Sequence, residues 1–77
     1  MVFETVFKVD EVELAEAEVK LRAIAAKDDT FKYSVRKTKS GYWVVVFSKD
    51  KDTAYKRGVW LSKRVLNGKL FLVRERQ

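Results

Sequence analysis

The residues with the most chemical promise in this 77-residue chain are cations set beside aromatic rings. Lys32, Arg36, Lys37 and Lys39 lead into Trp43 and Phe47. Further on, Lys56, Arg57, Lys63 and Arg64 surround Trp60. Lysine and arginine neutralise phosphates, and an aromatic face accepts a stacked base. The first group is therefore a candidate nucleic-acid surface. The second group could serve phosphate contacts too, but a rigid aromatic amid arginines also has the composition of a protein-interface hot spot. The expected partner is nucleic acid of unspecified type or an acidic protein.

Enzymatic chemistry is poorly provided for. Histidine and cysteine are absent, which removes the commonest general base and the commonest soft metal ligand. No phosphate loop, metal-ligand spacing or nucleophile–base pair is present. Glu11, Glu13, Glu16 and Glu18 fall on different sides of one helix, and Asp28, Asp29, Asp50 and Asp52 suit caps and loops. A non-catalytic binding role without cofactor or metal is expected.

Charge is divided unevenly. Residues 1–29 hold four cations against eight acids, a net of −4, and residues 30–77 hold thirteen against three, a net of +10. Such asymmetry is an electrostatic footprint for a polyanion or an acidic protein, or else a well-solvated surface. The length fits one domain spanning 1–77. No apolar run approaches the roughly 20 residues that cross a bilayer, so no membrane partner is expected. The acidic, alternating start is unlike a signal peptide. A cysteine-free chain suits the cytoplasm.

The elements that must position these residues can be read from periodicity. Val2–Val9 alternates with apolar residues on both faces, as an inner strand does. Asp10 and Glu13 form a capping-box pair at the head of a helix that runs to about Lys27. Leu14, Ala17, Leu21 and Ile24 make its buried stripe. Val12, Ala15, Val19 and Ala26 make a second stripe, which is either more core against another helix or a self-association face leading to a homodimer. The core reading is preferred. Thr30–Lys37 alternates cleanly as a half-exposed strand, and a turn through Lys39, Ser40 and Gly41 leads to the apolar strand Tyr42–Phe47.

Asn67-Gly68 is ambiguous. It is a strong hairpin signal, yet glycine also ends helices. At 100° per residue Ala54, Tyr55, Gly58, Val59, Leu61, Ser62, Val65 and Leu66 gather on one side, with Lys56, Arg57, Trp60, Lys63 and Arg64 on the other. A helix over 53–66, capped by Asp50 or Asp52, is the preferred reading. Lys69–Glu75 then forms a last, edge strand. The resulting order β-α-β-β-α-β predicts an α+β, ferredoxin-like plan: a four-stranded antiparallel sheet with both helices on one face and the first and third strands central. A hairpin would instead give a cystatin-like plan, one helix on a five-stranded sheet. Acylphosphatases share the first strand order, but the chain has no matching glycine-rich phosphate loop.

The stretch SGYWVVVF partly resembles the central-strand motif of RNA-recognition motifs. Gly41, Tyr42, Val45 and Phe47 match it. Ser40, Trp43 and Val44 depart from it, and Val44 stands where that family has a stacking ring. The resemblance implies base stacking on the sheet. Whether Trp43 and Phe47 share the face of Lys32 and Arg36 depends on the parity of the hairpin loop, which the sequence leaves open.

Overall fold

A computed structural model describes residues 1–76. The chain is α+β and follows the order β1 (Phe3–Val9), α1 (Glu11–Lys27), β2 (Lys32–Thr38), β3 (Gly41–Ser48), α2 (Lys51–Arg64) and β4 (Phe71–Glu75). The four strands form one sheet in the order β2-β3-β1-β4. Every neighbouring pair is antiparallel. The most apolar strands, β1 and β3, take the centre, as expected, and each β-α-β unit straddles a strand of the other. This arrangement is consistent with the ferredoxin-like plan.

The helix reading of 53–66 holds with both ends two residues earlier. Asp50 caps α2 by accepting the Thr53 amide at 2.8 Å. Asn67 (φ 52°) and Gly68 (φ 80°) are both left-handed and turn the chain into β4, so the five-stranded alternative is not formed. At the head of α1, Asp10 accepts the Glu13 amide while Glu13 accepts the Asp10 amide. The Glu13 carboxyl is held below its ordinary range, first by the Lys69 ammonium and then by the Asp10 amide. Asp50 is lowered by the Thr53 amide and hydroxyl. Asp28, which ties down Thr30 in the α1–β2 loop, is lowered by the Thr30 hydroxyl and amide. Each depressed carboxyl favours the fold above its unfolded pKa, and that contribution is lost as pH falls through the lowered native value. Thermal stability should therefore be flat from pH 7 to about 5 and decline below about 4. Midpoints that rise on acidification would contradict these caps.

One face of the sheet carries both helices. Phe7, Val9, Val44 and Val46 meet Leu14, Ala17, Leu21, Leu61, Val65 and Leu66 in the core. The Thr5 hydroxyl donates to the Ala54 carbonyl at 2.8 Å in this layer. Small residues let α2 sit close: a Cβ on Gly58 would fall 2.3 Å from the Phe71 ring. That ring is held between Phe7 at 5.4 Å and Tyr55 at 5.8 Å. Gly58→Ala should thus lower stability by about 1–2 kcal/mol, because overpacking outweighs the gain in helix propensity of about 1 kcal/mol. Urea denaturation reads this directly, and a stabilised variant would show that Phe71 yields freely.

The second stripe of α1 overturns its expectation. Val12 and Val19 are 69% and 71% exposed, and Ala15 and Ala26 are exposed as well. The reason is rotational. Val19 lies opposite the line of Leu14, Ala17, Leu21 and Ile24 that faces the sheet, while α2 lies in the same layer and does not cover it.

Candidate nucleic-acid interface

The hairpin loop settles the parity. Thr38 pairs with Gly41, leaving the two-residue tip Lys39-Ser40. An even loop keeps alternate residues in phase, so Lys32, Ser34 and Arg36 fall on one face with Phe47, Val45 and Trp43. Gly41 is needed at the exit: its φ is 154°, and a Cβ there would lie 2.7 Å from the Val9 carbonyl oxygen. This face bears no helix.

Pairing with the other strands completes the surface. Arg36, Trp43 and Lys8 form one cross-strand row. Ser34, Val45, Val6 and Leu72 form the next. Lys32, Phe47, Glu4 and Arg74 form the third. The centre of the middle row is covered although no helix lies over it, with Val6 at 2% and Val45 at 0% exposure, whereas Leu72 at its edge is exposed. The cover comes from the rows on either side. Lys8 Nζ lies 5.9 Å and the Arg74 guanidinium 5.3 Å from the centre of the Trp43 ring. The backbones of Trp43 and Arg74 sit beside Lys8 and Glu4, about 13 Å apart along β1. Their side chains can meet only by leaning inward over Val6 and Val45.

Arg74 is held there by Glu4, whose carboxylate accepts from Nε at 2.8 Å. The Glu4 side chain is 4% exposed. Arg76 lies 5.2 Å from the centre of the Phe47 ring. The result is two rings on β3, each flanked by cations, with Lys32 and Arg36 exposed on the neighbouring edge strand. Cations beside aromatic rings on an open sheet face together offer π faces for bases and charges for phosphates.

The remaining sequence-chosen residues are placed elsewhere. Lys37 pairs with Tyr42 and takes the phase of Tyr33 and Val35, opposite to Lys32 and Arg36. Lys39 is at the hairpin tip. Lys56, Lys63 and Arg64 are exposed on α2, which packs on the other side of the sheet. Lys56 pairs with Asp52 at 3.2 Å. Trp60 is 47% exposed, with the Arg64 guanidinium 5.9 Å from its ring. It lines a groove with Ile24, Phe31 and Leu61 between the helices. Arg57 is committed to the fold: it donates to the Thr30 hydroxyl at 3.0 Å and the Phe47 carbonyl at 3.3 Å, and lies over the Phe31 ring.

Lys8, Glu4, Arg74 and Arg76 escaped the sequence reading. Leu72 and Arg74 do alternate in β4, with Arg76 just past its end in the same phase, as Glu4, Val6 and Lys8 do in β1, and that alternation was the available signal. It becomes meaningful only once β1 is known to lie beside β3, and β4 beside β1. No helix is long and apolar enough to cross a membrane among the described residues. No protein-family model and no curated protein matches the chain.

Proposed function

We propose that this chain is a small, non-catalytic binding protein whose open sheet face takes single-stranded nucleic acid, in keeping with a cytoplasmic setting. The observation that carries the reading is the placement of Trp43 and Phe47 on one helix-free face, each beside cations. An open sheet face with two separated rings suits unstacked bases better than a duplex, whose bases are already stacked and whose grooves call for a projecting element. Lys8, Lys32, Arg36 and Arg76 are the exposed cations that can meet phosphates, Lys8 and Arg76 from beside the rings of Trp43 and Phe47, while Arg74 is divided between Glu4 and Trp43. Four phosphate contacts on a single strand correspond to a log–log salt slope of about −3. Affinity should then fall on the order of 50-fold between about 50 and 200 mM salt. Gel shifts with single-stranded DNA, duplex DNA and RNA at those two concentrations test this. Retardation of a single strand that fades with salt is the expected result, and salt-independent binding would argue against it.

A second reading is supported by the exposure of Trp60 in its groove between the helices. There the chain would be a regulator or inhibitor docking on an acidic protein, with Trp60 as anchor and Lys56, Lys63 and Arg64 around it. Arg57 would hold the groove in shape from beneath. The two faces lie on opposite sides of the sheet, so single variants separate the readings.

A further inference from the structure

We infer that the exposed stripe of α1 is a homodimer interface, in which a second copy of this chain packs its own α1 antiparallel across a two-fold axis at Val19. The inference is independent of the open sheet face. Val12 and Val19, each about 70% exposed, are large apolar side chains on the outermost line of a 17-residue helix. Ala15, Ala23 and Ala26 share that line and are also exposed, so two helices could approach closely along it.

Charge complementarity identifies the occupant. The first half of α1 carries Glu11, Glu13, Glu16 and Glu18, and the second half carries Lys20, Arg22 and Lys27. A parallel partner would set glutamates beside glutamates. An antiparallel copy sets acidic halves beside basic halves. With the axis at Val19, Val19 meets itself, Val12 meets Ala26 and Ala15 meets Ala23. At 100° per residue, Glu16 and Lys20 lie on one flank of this seam and Glu18 and Arg22 on the other. Glu18 and Arg22 already pair within the helix at 3.2 Å. On each flank the two copies would bring a glutamate of one beside a cation of the other, twice by symmetry. An isologous contact of this kind is self-complementary and closes at two subunits. One helix pair buries a modest area, so a dissociation constant in the micromolar range, about 10–100 μM, is expected. Both open sheet faces would point away from the seam, leaving nucleic-acid binding free to succeed or fail separately.

Sedimentation equilibrium from about 10 to 500 μM protein tests this. The full chain should pass from monomer to dimer over that range. Val19→Glu should raise the dissociation constant at least about 10-fold while leaving the circular dichroism spectrum unchanged, because Val19 is 71% exposed. Two charge-reversed proteins provide a test that does not rest on that variant. Glu16→Lys/Glu18→Lys alone and Lys20→Glu/Arg22→Glu alone should each remain monomeric, whereas their mixture should form a heterodimer. A monomeric wild type at about 500 μM would overturn the inference, leaving the charge gradient to the helix dipole alone. So would a Val19→Glu protein that dimerises like the wild type, or a mixture that stays monomeric.

Discussion

Trp43→Ala should weaken single-strand binding by about 5- to 150-fold, the range expected for loss of one base–aromatic stack. Fluorescence anisotropy of a labelled single-stranded oligonucleotide at low salt is a suitable measurement. Trp43 also helps cover Val6 and Val45, so the alanine variant loses packing as well as a stacking surface. Trp43→Phe separates the two effects: it keeps most of the cover and a smaller ring, and should retain binding between those of Ala and Trp. Phe47→Ala should reduce affinity as well. Trp60→Ala should leave the affinity unchanged within about 2-fold, since its ring lies beyond the sheet from the site. If Trp60→Ala proved the more damaging change, the helical groove would hold the binding surface instead.

Arg74→Leu should cost about 2–4 kcal/mol of folding stability, a large share of what a domain of this size commands. The cause is not the loss of a contact alone. It is the Glu4 carboxylate, 4% exposed, left without its partner in a layer of valines and rings. Arg74 is itself 40% exposed, so water can reach its side of the pair, which holds the figure below that of a wholly buried one. Removing both charges, Glu4→Leu with Arg74→Leu, should return stability to within about 1 kcal/mol of the wild type, as paired apolar replacements of buried ion pairs often do. Urea denaturation of the four proteins in this cycle gives the coupling. Additive effects would show that Glu4 finds other partners. The double variant also removes one of the two cations beside the Trp43 ring and should bind the oligonucleotide more weakly despite its regained stability.

The fold was legible where local chemistry and periodicity agreed. The Asp10–Glu13 box, the alternation of Thr30–Lys37 and the apolar run of β3 each carried their own physical reason, and each element formed. Asn67-Gly68 was decided by the side chains before it: Ala54, Gly58, Leu61 and Val65 bury one side of a helix, while as a strand the same stretch had no clean face. The candidate site was only half legible. Lys32, Arg36, Trp43 and Phe47 were identifiable as residue types, but their common face rested on one fact about the Lys39-Ser40 tip that sequence pattern does not contain. An extra residue there would have turned Tyr42 and Val44 toward the cations. The contribution of β1 and β4 was hidden for a different reason. Lys8, Glu4, Arg74 and Arg76 come from opposite ends of the chain and meet only through strand order. The stripe of Val12 and Val19 was misjudged because apolar residues on a helix imply a partner without saying which. Here the sheet occupies the opposite side, and α2 does not reach across.

The most direct measurement of the open face as a binding surface is a two-dimensional amide and indole NMR titration with a single-stranded oligonucleotide at low salt. Perturbations should concentrate on Lys8, Lys32, Ser34, Arg36, Val45, Phe47 and Arg76, with the Trp43 indole shifting most, while the indole of Trp60 and the amides of Lys56, Lys63 and Arg64 stay in place. No perturbation, or perturbation confined to the α2 residues around Trp60, would contradict the account.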